Sequence, residues 1–311
     1  MSELLHISSA PHDRGSLSTK AVMRDVLLAL LPTTVLGVWA HGWYSALIIL
    51  LSITAAVLTE YTFDRITKRS NTVTDGSAIL TGLLLALTLP ASVPVYIPVL
   101  GAVFAILVVK CLFGGLGKNF ANPAITGRVF MLLAFSTVAG GAKPAVVELV
   151  SSATPLELLA QGAENTPSLM ELFLGLHGGA IGETCCLALL LGFAWLLFRR
   201  VIKWHVPVIF IGTVFVLYLV FTGSFQMALA EILAGGLFIG AIFMATDYVT
   251  SPITLKGKMV FALGCGLVTF VIRYFCAYPE GVSFSILAMN ILTPYIEKFT
   301  ANTPLGGSKN G

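Results

Sequence analysis

Charge is what this chain most lacks. Of its 311 residues, 18 are Lys or Arg and 15 are Asp or Glu, together 11% of the chain. A soluble domain carries roughly 25%. With 57% hydrophobic residues and a mean hydropathy of +0.92, a soluble globular reading is excluded. The net charge of +3 is spread over short loops, and no basic patch is large enough to track a phosphate backbone, so no nucleic-acid partner is expected. Cysteine is also sparse. Cys111, Cys185, Cys186, Cys265 and Cys276 show no C-x-x-C spacing, which argues against a zinc or iron–sulfur centre held by this chain, and they read as small packing residues. A dinucleotide fingerprint is missing too. Residues 1–21 have no apolar core and no cleavage site, so they read as a cytoplasmic tail and not as a signal peptide.

Apolar runs are what the chain has in abundance. A bilayer-crossing helix needs about 20 apolar residues. By that measure ten spans are expected, near residues 22–40, 43–63, 76–89, 93–113, 123–139, 181–198, 205–221, 227–246, 259–276 and 282–299. The fold class is therefore all-α, a polytopic membrane protein. Ten spans divide into two sets of five, and an odd number per set makes the halves inverted repeats, residues 22–139 and 181–300 within one membrane domain 22–300. Ile79-Leu80-Thr81-Gly82 and Ile232-Leu233-Ala234-Gly235 echo each other at corresponding places. The third span is short and ends at Pro90, and the eighth holds Gly235, Gly236 and Gly240. Both are expected to be interrupted, the usual pointer to a central binding site.

Lys and Arg accumulate on the cytoplasmic side of membrane proteins. Here Arg14, Lys20 and Arg24 precede the first span, and Arg65, Lys68 and Arg69 follow the second. Lys110, Lys118 and Arg128 lie around the fourth and fifth spans, Arg199, Arg200 and Lys203 follow the sixth, Lys256 and Lys258 the eighth, and Lys298 and Lys309 the last. Both termini, including the 301–311 tail, are thus expected to be cytoplasmic. The long 140–180 loop falls on the outer side of a bacterial cytoplasmic membrane, and its apolar stretches 155–159 and 169–174 predict short interfacial helices.

Candidate functional residues follow from cost. Carboxylates in or near a bilayer are expensive, which makes Glu60, Asp247, Glu183 and Glu231 candidates for an ion path, although helix-end carboxylates also reach water. Arg273 is a guanidinium in the outer half, suited to a phosphate. Asn119 and Asn122, behind the glycines Gly114, Gly115 and Gly117, offer amide groups for the polar edge of a ring. They also read as the capped start of a helix with Pro123 at its first position. In the long loop, Glu148-Leu149-Val150-Ser151-Ser152-Ala153-Thr154-Pro155-Leu156 reads as a helix start, capped by Ser151, Ser152 or Thr154, and such an N-terminus also seats a phosphate.

Several stretches together resemble the D subunits of Rnf electron-transport complexes and the related B subunits of sodium-pumping NADH:quinone oxidoreductases. They are Asp75-Gly76-Ser77-Ala78 with Thr81–Pro90, Gly115-Leu116-Gly117-Lys118-Asn119-Phe120-Ala121-Asn122-Pro123-Ala124, Ser151–Leu156, Gly182-Glu183-Thr184, Met244-Ala245-Thr246-Asp247 with Thr250-Ser251-Pro252, and Tyr278-Pro279-Glu280-Gly281-Val282 with Met289-Asn290. The resemblance covers residues 20–300, with Tyr248, Glu148 and Ser152 departing from the usual residues. It implies FMN esterified through its phosphate to Thr154 by a flavin transferase, with Ser151 and Ala153 completing the attachment motif, and riboflavin as a possible second, non-covalent flavin beside Asn119 and Asn122. It further implies electron relay between ferredoxin and NAD, coupled to Na⁺ or H⁺ movement, with the iron–sulfur centres and NAD site on partner subunits. The alternative is an inverted-repeat secondary transporter or channel without a redox cofactor.

Overall fold

The computed structural model describes residues 18–69, 72–137, 156, 159, 167–175, 179–183, 185–276 and 281–301. Twelve α-helices occur among them, and no β-strand. The N-terminal half holds α1 (Thr19–His41), α2 (Trp43–Ile66), α3 (Ser77–Leu87), α4 (Tyr96–Phe104), which runs on as a π-helix over Ala105–Cys111, and α5 (Pro123–Thr137). After α6 (Leu169–Leu174) come α7 (Cys186–Phe198), α8 (His205–Thr222), α9 (Phe225–Leu233), α10 (Leu237–Ile239) continuing as a π-helix over Gly240–Met244, α11 (Leu255–Phe275) and α12 (Val282–Thr300).

Four of these helices, α1, α2, α8 and α11, are long and apolar enough to cross a bilayer, and the bent pair Phe225–Leu233 and Leu237–Met244 makes a fifth. Their outward faces carry Leu50, Leu58, Val216, Val220, Leu263 and Val271, all exposed. Large apolar side chains left exposed along whole helices are stable only against hydrocarbon. The protein is a multi-pass membrane protein.

Packing relies on small residues where backbones meet. A Cβ on Gly82 would stand 2.8 Å from Ile53 Cα and 2.9 Å from Ser52 O, so glycine is what lets α3 lie against α2. The Ser52 hydroxyl donates to Gly82 O at 2.7 Å across the same contact. At the other end of the bundle, Tyr218 and Phe221 of α8 meet Phe270, Tyr274 and Phe275 of α11 through edge-on and tilted rings 5.0–6.5 Å apart.

The two interruptions expected from the sequence differ in construction. α3 stops after three turns, which would leave its last carbonyls without partners in an apolar medium. A segment from the C-terminal half covers them: Ile181 N donates to Leu89 O at 3.0 Å and Gly182 N to Leu87 O at 2.7 Å. For this reason residues 181–183, expected to be helical as the start of the sixth span, form a turn in which Glu183 N donates to Ala180 O at 3.1 Å, and the helix begins only at Cys186. The bent pair, at the place expected for an eighth span, breaks at residues 234–236 and bends by 65°. The Leu169–Leu174 helix forms as expected, closed by a capping box between Ser168 and Glu171.

Cys111, Cys185, Cys186 and Cys265 are buried free thiols, in keeping with a packing role, while Cys276 is exposed.

Candidate functional site

One end of the bundle gathers the start of α1, the start of α3, the end of the α4 π-helix, the 112–122 turn, residues 201–202 and the segment after the second π-helix. Asp25 on α1 accepts from Arg199 Nε after α7 at 3.1 Å, which closes this end. Between these elements lies a pocket with about 790 Å³ of open space, its mouth included. Its walls are mostly apolar, from Val22, Leu80, Leu84, Ile242 and Phe243, and its polar groups are few: Ser77, Thr81, Lys110, Asn119, Asn122, Thr246, Asp247 and Tyr248.

The two asparagines share this pocket but do different things. Asn122 caps α5, its Oδ1 accepting from Ala124 N at 3.0 Å, while its Nδ2 donates to Met244 O at 3.3 Å and so holds the end of the second π-helix. With its amide in the hydrogen-bonding orientation, Asn290 accepts from Asn122 N at 3.1 Å and donates to Thr250 O at 3.1 Å. Asn122 is therefore committed to the protein. Asn119 is not: its Nδ2 makes one long bond to Ala121 O, 3.4 Å, and its buried Oδ1 accepts from nothing among the described residues. A buried acceptor without a donor costs about 1–3 kcal/mol. It is an open position for a ligand N–H.

Asp247 organises the turn that closes the pocket, accepting from Val249 N at 3.3 Å and from the Thr250 hydroxyl at 3.0 Å. Burial pushes its carboxyl above the ordinary aspartate value, and those two donors pull it partly back.

The pocket wall includes one member of a buried ion pair, Lys110. Lys110 Nζ lies 2.7 and 2.8 Å from the two Glu60 carboxylate oxygens and 2.6 Å from Ser77 Oγ. Glu60 also accepts from Thr72 Oγ1 at 2.6 Å, and Thr72 binds Asp64 through its hydroxyl and its amide, both at 2.9 Å. Lys110 and Glu60 are nearly inaccessible, 2% and 1% exposed. Two of the cations used above to orient the chain, Lys110 and Arg128, are thus core residues and not loop charges. An ammonium and a carboxylate within apolar runs are the available sign in the sequence that the two pair.

A second polar cluster sits at the helix break toward the opposite end. Arg273 of α11 donates from Nη1 to Glu231 O at 2.8 Å, with Nη2 at 3.5 Å from Ala234 O, so it covers the carbonyl end of α9. The same guanidinium faces the Glu231 carboxylate at 3.9 Å, and the Tyr218 hydroxyl also bonds that carboxylate. Glu183 lies across the break, where a Cβ on Gly236 would collide with its carboxyl. A cation at the carbonyl end of one half-helix and an anion at the amide end of the next suit both dipoles. Sequence order alone does not pair Arg273 with Glu231, because 42 residues separate them.

Glu148, Ser151, Ala153 and Thr154 lie outside the described residues. Leu156, two residues after Thr154, is buried at the break: a Cβ on Gly235 would run into its side chain and stand 3.3 Å from Arg273 Nη2. Gly235 also has φ +71°, a left-handed conformation that a larger residue adopts only with strain.

Comparison with known proteins places this arrangement. The model of the NQR2, RnfD, RnfE family matches residues 6–306. The chain is 42% identical to the D subunit of the Na⁺-translocating ferredoxin:NAD⁺ oxidoreductase complex of Acetobacterium woodii, covering 99% of this chain and 98% of the relative. It is 41% identical to the D subunit of the proton-translocating ferredoxin:NAD⁺ oxidoreductase complex of Clostridium ljungdahlii, over 96% of each. With the D subunit of the ion-translocating oxidoreductase complex of an Escherichia coli strain the identity is 32%, over 98% of this chain and 99% of the relative. With matches that run almost end to end in both partners, this chain belongs to the NQR2, RnfD, RnfE family.

Proposed function

We propose that this chain is the flavin-carrying membrane subunit of an ion-translocating ferredoxin:NAD oxidoreductase complex in a bacterial cytoplasmic membrane. The observation that carries the reading is the apolar pocket with one unsatisfied acceptor, Asn119 Oδ1, and one cation, Lys110, in a chain whose relatives are named as subunits of such complexes. An isoalloxazine ring suits it, being a flat apolar body with a polar edge that carries an N–H. Flavin supplies electron-transfer chemistry, while protein groups hold it and tune its potential. Asn119 would accept from the ring edge, Lys110 would supply positive potential, and the apolar walls would exclude water.

A second flavin, FMN, is esterified to Thr154, with Ser151 and Ala153 in the attachment motif and a flavin transferase as the modifying partner. The reading is supported by the place of Leu156, two residues after Thr154, whose side chain is buried against Gly235 at the helix break. Iron–sulfur and NAD-binding sites belong to partner subunits. The ten-span arrangement of two inverted halves, cytoplasmic termini and an outer flavin loop complete the proposal. Glu60, Asp247, Glu183 and Glu231 are its candidates for the ion path.

The test is made on the purified complex. After denaturing electrophoresis the wild-type chain should fluoresce yellow and the Thr154→Ala chain should not, while both complexes release equal non-covalent flavin. Fluorescence that survives Thr154→Ala would move the attachment elsewhere, and a colourless wild-type complex would remove the flavin reading altogether.

A further inference from the structure

Lys110 belongs at once to the pocket wall and to a hydrogen-bonded chain that leaves the pocket. The chain runs from Lys110 Nζ to Glu60, from Glu60 through the Thr72 hydroxyl to Asp64, and Asp64 lines a separate surface cleft with Tyr61, Arg65 and Arg69. Among the described residues lining the pocket, Lys110 is the one cation and Asp247 the one carboxylate. The Lys110 ammonium has its donors taken by two Glu60 oxygens and Ser77 Oγ, so it is held in place and does not swing freely. Ser77 is itself oriented by Asp75, which accepts from its amide at 2.7 Å and from its hydroxyl.

From this geometry we propose that Lys110 is a positioning residue whose charge, balanced by Glu60, sets the reduction potential of the electron carrier in the pocket. The inference rests on the flavin reading given above. When a reduced partner of the complex gives up one electron, the donor is oxidised, the pocket's occupant gains one negative charge, and no bond is made or broken. A nearby ammonium stabilises that added charge, and the Glu60 carboxylate behind it offsets the effect. Charge interactions fall off only as the inverse of distance and are weakly screened away from water, so each member of the pair is felt in the pocket.

The signs are opposite for the two partners, which separates electrostatics from general damage. In the intact complex, spectroelectrochemical titration of the non-covalent flavin should show Lys110→Met shifted to lower potential and Glu60→Gln to higher. Each shift should be about tenfold in the reduced-to-oxidised ratio at fixed potential, which is ~59 mV for one electron. The double variant should return near the wild type, because both charges are gone. Asp64→Asn, at the far end of the chain, should shift upward by less, and it carries the test if either single variant fails to assemble. Shifts of Lys110→Met and Glu60→Gln in the same direction would overturn the proposal, as would a wild-type potential in Lys110→Met, Glu60→Gln and Asp64→Asn. If the wild-type complex holds no non-covalent flavin, the flavin reading falls and takes this inference with it. A flavin that is present but titrates unchanged in all the variants refutes the inference alone.

Discussion

Replacing Arg273 by methionine tests how the broken helix is held. The guanidinium donates to Glu231 O and faces the Glu231 carboxylate, with both side chains almost inaccessible, 2% and 5% exposed. At 3.9 Å and an effective dielectric constant of about 20, the charge interaction alone is about 4 kcal/mol before desolvation. Methionine fills much of the volume but leaves a buried carboxylate without its cation, which costs about 3–5 kcal/mol. It also leaves the Glu231 carbonyl at the end of α9 without its donor, a further ~1–3 kcal/mol. Adding Glu231→Gln removes the stranded charge, so the double variant should recover most of the first cost and keep the second. Thermal unfolding of the purified complex, followed by tryptophan fluorescence in detergent, should show Arg273→Met lowered by roughly 5 °C or more. The double variant should fall between it and the wild type. An Arg273→Met midpoint equal to the wild type, or a double variant worse than the single, would refute the argument that this arginine holds the break.

The two asparagines of the pocket should separate. Asn119→Leu should release the non-covalent flavin with little loss of stability, whereas Asn122→Leu should destabilise the complex because it strips the cap of α5 and the bond to Met244 O. Equal flavin content in Asn119→Leu and wild type, measured by extraction, would count against Asn119 as the ring acceptor. For orientation, single cysteines at Gln161 and Ser308 in a cysteine-free background should react with an impermeant maleimide in intact cells at 161 and not at 308, and the reverse pattern would invert the topology. The capping box at α6 is pH-dependent. Hydrogen bonds from the Ser168 amide and hydroxyl hold the Glu171 carboxyl below its ordinary value. Its contribution is therefore present above the ordinary glutamate range and is lost as pH falls through the lowered value. Amide exchange in the 168–174 segment should accelerate on acidification in the wild type, and a Glu171→Gln protein should lose that pH dependence.

Much of this protein is legible without coordinates, because a bilayer imposes a one-dimensional rule. Twenty apolar residues in a row have one stable outcome, so the membrane class, the scarcity of charge and the cysteines' packing role can be read from composition and order alone. The glycines at 235 and 236 and the short run ending at Pro90 mark the two interruptions for the same reason: a broken helix in hydrocarbon needs special residues. Pairing in space is what those rules do not contain. Lys110 and Glu60, 50 residues apart, and Arg273 and Glu231, 42 apart, become partners only when α2 meets the α4 π-helix and α9 meets α11. Asn119 and Asn122 look alike in the chain, three residues apart. The fold separates them, because the Met244 carbonyl and Asn290 reach Asn122 from the other half, and none of the described residues reaches Asn119 Oδ1. Local sequence decides which backbone groups form helices, since those bonds close within a few residues. Which buried polar atom remains open for a ligand depends on groups brought in from distant segments, and that is settled only by tertiary packing.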